Sequence, residues 1–288
     1  MAQNDNAEMV VACVDGSKYT DDVSDYAAWA SQRIGVPLKL LHNVEYRDIS
    51  PMDLSGSIGF GAQEHLLNEL VTLEEQRSKI VLEEGKKMLS HIHERVIAQG
   101  YDEPVLRQRH GALPETLVDC EHEIRLLVMG IRGEGKEAMA HQLGGHLETV
   151  ARALHKPILV VNRRFSVPER IMLAFDGSPG AKKALDMVAQ RPLFRGIPCH
   201  LVNVNHKQVS QEYPISHAAE ELRDGGFDVT VAELSGDPQE VLCNYQQQQK
   251  IDLTVMGAFS HNRIRDLIIG SFTVKMLLNT QQPLLLLR

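Results

Sequence analysis

The chain has 288 residues, of which 43% are apolar, and its formal net charge is −8 with an isoelectric point near 5.9. An acidic surface repels phosphate backbones, so the composition argues against nucleic-acid binding. The polar N-terminus and the lack of any run of about eighteen apolar residues argue against a membrane segment, and we expect a cytoplasmic protein.

In chain order, short runs rich in Val, Ile and Leu alternate with amphipathic stretches, which is typical of a parallel sheet covered by helices on both faces. Strands are predicted at residues 9–15, 38–44, 105–110, 126–130 and 158–162, and again at 170–176, 199–205, 229–235, 253–257 and 284–288. In the second half, helices are predicted at 180–191, 214–224, 238–248 and 271–280.

The second half of the chain repeats the first in the same order. The strand that ends in Asp15-Gly-Ser returns as a strand that ends in Asp176-Gly-Ser, and a Val-Met-Gly run recurs at the fourth strand. Each copy closes on an apolar strand that begins with a proline, Pro157 or Pro283. A repeat of this extent runs through whole domains and is not a chance match of short segments.

The repeat predicts two domains, at residues 1–163 and 169–288, joined by the polar linker Arg163–Glu169. The fold class is α/β. Each domain is expected to form an open, mostly parallel five-stranded sheet of doubly wound type, and the two sheets are fused in tandem.

The copies differ between their second and third strands, where the first has about sixty residues and the second about twenty-five. The insertion covers residues 46–100, and an amphipathic pattern runs from Gln63 to Gln99 within it; as one straight helix that segment would span about 55 Å. Because that exceeds the width of a domain, we expect a break near Gly85 and a mobile loop before Gln63. A surface insertion is favoured over a functional lid.

Asp15 and Asp176 close the first strand of each copy, and ligands collect at the carboxyl ends of strands in an open parallel sheet. A carboxylate there can accept hydrogen bonds from a ribose or from an adenine amine. The alternative is that each Asp caps the following helix or shapes the turn. The pattern does not separate the two roles.

In the second copy, small residues follow the fourth strand, and Gly270-Ser271 then opens the last helix. Backbone N–H groups at a helix start bind phosphate oxygens, and a Ser hydroxyl adds a donor. His261, Arg263 and Arg265 bring positive charge to the loop between them. The run predicts an anion site, with turning of the chain as the alternative.

Together, the strand-one Asp, the Val-Met-Gly run and the closing Gly-Ser before a Pro-led strand resemble a tandem universal stress protein over almost the whole chain. The resemblance implies a Rossmann-like fold of the adenine nucleotide alpha hydrolase-like type. Members that bind ATP carry Gly, two residues, Gly, nine residues, Gly, and then Ser or Thr. In the second copy this pattern falls on Gly257, Ser260, Gly270 and Ser271, with Ser260 in place of a Gly.

The first copy departs further from that pattern. Gly130 and Gly133 fit, but ten residues precede Gly144, and Gly145 replaces the Ser. We take Gly144 as the matching glycine because it lies thirteen residues before the closing Pro, as in the second copy. A count of nine residues from Gly135 is the alternative.

The same loop is a near miss to a P-loop, since Gly130–Lys136 matches GxxxxGK. Glu137 stands where Ser or Thr would hold Mg²⁺, and the run follows the fourth strand and not the first. A P-loop NTPase is therefore discounted, although Arg132 and Lys136 can still neutralise an anion.

By the same resemblance, further residues line the adenine side of each pocket or flank the phosphate motif. They are Val44 and Met129 in the first copy, and Val204, Met256 and Phe272 in the second. For Met129 and Met256, a place in the hydrophobic core is an open alternative.

The leading hypothesis is a non-catalytic, stress-responsive regulator that binds ATP. Domain 2 is favoured over domain 1 as the binding site, and any Mg²⁺ is carried by the nucleotide. The alternative is a universal stress protein that has lost nucleotide binding and acts through a protein or small-ligand partner. A dedicated enzyme is disfavoured, because a single Asp without a Walker lysine or a metal cluster offers little for phosphoryl transfer.

The resemblance also implies pairing through the last strand of each domain. Two domains in one chain would satisfy that pairing internally and form a pseudo-dimer, with a homodimer of the fused chain as the alternative.

Overall fold

The computed structural model describes residues 8–45, 60–133, 143–205, 213–258 and 270–288. The first repeat contains β1 (Met9–Cys13), α1 (Thr20–Ile34), β2 (Leu38–Val44), α2 (Phe60–Ala98), β3 (Val105–His110), α3 (Leu113–Asp119), β4 (Ile124–Gly130), α4 (Gly145–Ala153) and β5 (Ile158–Val161). The second contains β6 (Ile171–Ala174), α5 (Pro179–Gln190), β7 (Cys199–Asn205), α6 (Ile215–Asp224), β8 (Val229–Ser235), α7 (Pro238–Gln248), β9 (Leu253–Gly257), α8 (Ser271–Asn279) and β10 (Leu284–Leu287). Every strand predicted from the sequence is present, and no end differs by more than two residues.

All ten strands form one sheet, in the order β3-β2-β1-β4-β5-β10-β9-β6-β7-β8. The strands of each repeat are parallel, and the repeats meet where β10 pairs antiparallel with β5, with Leu285 opposite Leu159. The predicted doubly wound α/β fold is confirmed. Its two five-stranded sheets are continuous and not separate, because the closing strands are wholly buried and each satisfies the edge of the other.

Two helices of the second repeat begin at a capping side chain followed by proline. Ser178 Oγ accepts the backbone N–H of Ala181 at 3.0 Å. The Asp237 carboxylate accepts the N–H groups of Gln239 and Glu240 at 3.1 and 3.2 Å. Such caps satisfy backbone donors that the helix itself leaves unpaired, and proline suits the first helical position, so the local sequence sets where α5 and α7 start.

Helix α2 runs for 39 residues without a break, so the predicted interruption at Gly85 is wrong. A Cβ at Gly85 would stand 2.4 Å from Gln108 Nε2 and 2.6 Å from His42 Cδ2. The glycine therefore lets the helix pass close to β2 and β3. The loop expected before Gln63 lies mostly outside the described residues. Among the described helices, α2 included, none is long and apolar enough to cross a membrane.

The two repeats also cap each other's closing helix. Asn162 follows β5 and donates from Nδ2 to the carbonyl oxygen of Thr280, at the end of α8, at 3.0 Å. Arg288 follows β10 and donates from Nη1 to the carbonyl oxygen of Leu154, at the end of α4, at 3.4 Å. The two contacts occupy equivalent positions in the repeats, so the junction is close to twofold symmetric.

Further side chains tie the linker and α1 across the junction. The ring of Phe165, in the linker, packs edge-on to Tyr26 with centroids 4.8 Å apart. On α1, Arg33 Nε donates to the carbonyl oxygen of Leu193 at 3.0 Å. The linker is therefore packed on α1, and a side-chain hydrogen bond joins the two repeats in addition to the sheet.

Candidate functional site

A cleft of about 730 Å³ lies at the carboxyl ends of β1, β2 and β4 in the first repeat. Helix α2 and the start of α4 form its other walls. The cleft brings together seven first-repeat residues that the sequence predicted for a ligand site: Asp15, Val44, Met129, Gly130, Gly133, Gly144 and Gly145. Residues far apart in the sequence therefore converge on one place.

Asp15 shapes the turn after β1 and also lines the cleft. Its Oδ1 accepts the backbone N–H of Ser17 at 3.0 Å and the hydroxyl of Thr20 at 3.4 Å. Asp176 makes the same turn contact with Ser178, also at 3.0 Å. Neither Asp is the N-cap of its helix, so of the two structural roles considered, the turn is the one present.

Glycines let the backbone approach Asp15 from β4. A Cβ at Gly133 would stand 2.9 Å from Asp15 Oδ2, and a Cβ at Gly130 would stand 3.2 Å from the Cβ of Tyr19. Larger residues at these positions would fill the floor of the cleft or displace the loop. The glycines therefore keep the space beside the carboxylate open.

The choice of Gly144 as the equivalent of Gly270 is supported by matching backbone contacts. Gly144 donates its N–H to Ile131 O at 3.1 Å, and Gly270 donates its N–H to Ala258 O at 3.3 Å. Each glycine directly precedes its helix, since α4 starts at Gly145 and α8 at Ser271. The first loop is thus one residue longer than the second, as the sequence indicated.

The start of α4 presents backbone donors to the cleft. The N–H groups of the first helical turn have no partner within a helix, and the helix dipole makes this end partly positive. Gly144, Gly145 and His146, which form this end of α4, line the cleft, and Arg132 lies beside them. This end of the cleft suits an anionic group.

Several lining residues were not found by sequence reasoning. Glu45, just after β2, accepts the N–H of Leu113 at 3.0 Å and lies 3.5 Å from Nε2 of His146. Arg77 reaches the cleft from α2, in the insertion. Glu45 directly follows the predicted strand at 38–44, and His146 directly follows Gly144 and Gly145 of the motif, so position alone could have suggested them. No sequence signal pointed to Arg77.

His42 lines the cleft, but its contact has a structural counterpart in the other repeat. Its Nδ1 donates to the carbonyl oxygen of Val14 at 2.9 Å. At the equivalent place Asn203 Nδ2 donates to the carbonyl oxygen of Phe175 at 2.8 Å. Both side chains hold strand two to the end of strand one.

Cys13 also lines the cleft, and burial raises the pKa of its thiol, with a further contribution from the charge of Asp15. The thiol therefore stays protonated at neutral pH and is a poor nucleophile. In the part of the chain that the structure describes, no three His, Cys, Asp or Glu side chains cluster as metal ligands do.

In the second repeat the predicted site is only partly described. Asp176, Val204, Met256, Gly257, Gly270, Ser271 and Phe272 are described, whereas Ser260, His261, Arg263 and Arg265 lie outside the described residues, as do Gly135, Lys136 and Glu137 of the first repeat. A Cβ at Gly257 would stand 2.7 Å from the backbone of Gly180, so this glycine permits close packing of α5 on β9. Met129 and Met256 are both buried, which agrees with the alternative that they belong to the hydrophobic core.

The model of the universal stress protein family matches residues 7–162 and 207–288. The chain belongs to the universal stress protein family. Universal stress protein Slr1230 of Synechocystis sp. is 31% identical over 284 residues, which cover 97% of this chain and 99% of the relative.

Solved universal stress protein structures share this fold over the full chain. One from Archaeoglobus fulgidus has a TM-score of 0.72 at 18% identity and covers 99% of both chains. A putative universal stress protein from Pseudomonas aeruginosa has a TM-score of 0.61 at 14% identity, covering 98% of this chain and 93% of the other. The tandem arrangement therefore extends to distant universal stress proteins.

Proposed function

We propose that this universal stress protein is a non-catalytic, stress-responsive regulator that binds ATP in the cleft of its first repeat. The observation that carries the proposal is the convergence of seven sequence-predicted residues around one cavity large enough for a nucleotide. The sequence favoured the second repeat. The described geometry supports the first repeat. There, Gly130 and Gly133 at the start of the glycine motif and Gly144 and Gly145 at its end all line the cleft.

The walls of the cleft suit the parts of ATP in turn. Val44 and Met129 offer apolar contact for the adenine, and Asp15 offers an acceptor for a ribose hydroxyl or an adenine amine. The start of α4 and Arg132 suit the phosphates. Any Mg²⁺ would be carried on the phosphates of the nucleotide.

A binding role is favoured over catalysis by the chemistry of the lining. Phosphoryl transfer needs a positioned nucleophile, a metal and stabilisation of developing charge. Asp15 already accepts two hydrogen bonds within its own turn, and the nearby Cys13 thiol is held protonated. We therefore propose that a bound nucleotide acts through a change of conformation or partner.

A matched pair of substitutions tests the site. Asp15→Ala and Asp176→Ala each remove a carboxylate that accepts a backbone N–H at 3.0 Å, so both lose the same turn contact. We expect Asp15→Ala to weaken ATP binding about tenfold or more, because a hydrogen bond to a charged group contributes about 1.5–3 kcal/mol. Asp176→Ala should leave the affinity unchanged. Calorimetric titration with ATP and Mg²⁺ measures both.

Thermal unfolding of the two variants checks that the loss of the turn contact has a similar structural cost in each. Loss of ATP binding only in Asp176→Ala would move the site to the second repeat. Absence of ATP binding by the unaltered chain would overturn the proposal and favour a protein that acts through its surface, for which the missing hydroxyl at Gly145 already argues.

A further inference from the structure

Helix α2 is held against the rest of the first repeat by its C-terminal half. The carboxylate of Asp25, on α1, accepts hydrogen bonds from Arg95 Nε at 2.9 Å and from Arg95 Nη2 at 2.8 Å. Gln108 Nε2, on β3, donates to the carbonyl oxygen of Leu82 at 3.4 Å. Because Asp25 is buried and its pair with Arg95 is bidentate, the axis of α2 is fixed relative to the sheet.

A stripe of three residues on α2 faces the cleft. Arg77, Val81 and Gly85 are spaced four residues apart, so they lie on successive turns along one side of the helix. Gly85 packs against His42, which belongs to the wall of the cleft, and Arg77 and Val81 line the cleft themselves. Two turns before Gly85, or about 12 Å along the axis, the helix therefore presents the Arg77 side chain to the cleft.

Arg77 belongs to a part of α2 that has no counterpart in the second repeat. The helix in the same place there, α6, has ten residues and ends at Asp224. Arg77 lies 21 residues before the end of α2, and the same count back from Asp224 reaches Asn203, on β7. The insertion therefore adds a cationic side chain to the first cleft from a position that α6 is too short to reach.

The charges of the cleft favour a ligand with a phosphate chain. Two arginines line it from different walls, because Arg132 follows β4 beside the start of α4, whereas Arg77 comes from α2. A phosphate chain carries several anionic oxygens, so it can accept hydrogen bonds from two guanidinium groups at once. An uncharged nucleoside offers neither group an anionic partner.

The Arg77 side chain is held only loosely by its own helix. Its Nη1 lies 3.8 Å from Glu74 Oε1, which is beyond hydrogen-bond distance, and the two side chains are 54% and 43% exposed. Exposed pairs of this kind contribute little to stability. A phosphate oxygen can therefore replace Glu74 as the partner of Arg77 at small cost.

We propose that Arg77 is a specificity-determining residue of the cleft, whose guanidinium binds the phosphate chain of the nucleotide. The inference rests on the proposed binding of ATP in the first repeat. Arg77 then makes the affinity fall with the number of phosphates, from ATP through ADP and AMP to adenosine. The insertion, which the sequence favoured as a surface addition, becomes one wall of the nucleotide site.

Arg77→Ala tests this role, with Lys79→Ala as the matched control. Lys79 is exposed on the same helix, about 160° around the axis from Arg77. Both variants change the net charge equally, so a direct contact is what separates them. In calorimetric titrations we expect Arg77→Ala to weaken ATP binding about three- to tenfold, and adenosine binding less than about twofold. Lys79→Ala should leave both affinities unchanged.

Hydrogen exchange of the unaltered chain gives a second readout that needs no substitution. ATP should slow exchange of the amides at residues 74–81 more than adenosine does, because only the phosphate chain engages this part of α2. Equal protection by the two ligands would overturn the phosphate contact.

The possible results separate this inference from the proposed function. ATP binding that is lost in Asp15→Ala but unchanged in Arg77→Ala would overturn the role of Arg77 and leave the cleft as the site. Equal losses in Arg77→Ala and Lys79→Ala would also overturn it, since overall charge would then be responsible. Absence of ATP binding by the unaltered chain, or its loss only in Asp176→Ala, would overturn both. Circular dichroism checks that each variant keeps its helices.

Discussion

His200 on β7 is buried, with its Nδ1 2.8 Å from the hydroxyl oxygen of Tyr245. Burial, followed by the charge of Arg170, lowers the pKa of His200 below its ordinary value near 6.5. As pH falls through that value, the unfolded chain binds a proton that the folded chain does not. The contribution of His200 to stability is therefore complete above pH 6.5 and decreases below it.

We expect His200→Gln to reduce the loss of stability between pH 7.5 and about 5.5. Urea unfolding midpoints at the two pH values measure the effect. The control is His91→Gln, because His91 is exposed on α2. An unchanged pH dependence in His200→Gln would show that other groups account for the acid sensitivity.

Individual site residues differ in how far the sequence predicts them. Asp15 and Gly133 each follow a strand. Strand ends and glycine spacing are local features, so the sequence pattern predicts them. Glu45 and His146 meet only because the end of β2 lies near the start of α4. That proximity is a tertiary feature, and no local pattern carries it.

At the scale of the element, the continuity of α2 depends on Gly85. Alanine is the better helix former by about 1 kcal/mol, but a Cβ there would stand 2.4 Å from Gln108 Nε2 and 2.6 Å from His42 Cδ2. Gln108 has a flexible end that can move, whereas the His42 ring is held by Val14. We expect Gly85→Ala to lower the free energy of unfolding by about 1–3 kcal/mol, measured in urea.

Adding Gln108→Ala to Gly85→Ala should recover part of the loss, because it removes the nearest atom. Lys86→Ala, at an exposed neighbouring position, serves as the control for helix propensity. Unchanged or higher stability in Gly85→Ala would show that the helix can shift away from the sheet at little cost.

The strands and helices were more predictable than the helix break. Apart from the edge strands β3 and β8, the strands are largely buried, so their sequences are mostly apolar runs, and caps such as Ser178 set the helix starts locally. The expected break in α2 rested on glycine propensity and on an assumed domain width. Packing of Gly85 against two strands, which the sequence does not display, overrides both.

At the scale of the whole molecule, the β5–β10 junction should couple the stability of the two repeats. Leu285 is fully buried, opposite Leu159 of the first repeat and Val255 of the second. We expect Leu285→Ala to cost about 2–5 kcal/mol. It should also raise hydrogen exchange in β4 and β5, which belong to the other repeat.

Leu201→Ala is the matched control, since Leu201 is equally buried but lies on β7, away from the junction. Its effect on exchange should stay within the second repeat. Protection of β5 that is the same in both variants would mean that the repeats unfold independently. The repeat was plain in the sequence, but an antiparallel join between two parallel halves leaves no local signature.

That antiparallel join sets the direction in which each repeat faces. All strands of the first repeat run opposite to those of the second. The carboxyl ends of β1, β2 and β4 therefore lie along one rim of the sheet, and those of β6, β7 and β9 lie along the opposite rim. One small ligand cannot touch both rims. Two different molecules can, however, engage the chain simultaneously from opposite directions without competing for surface.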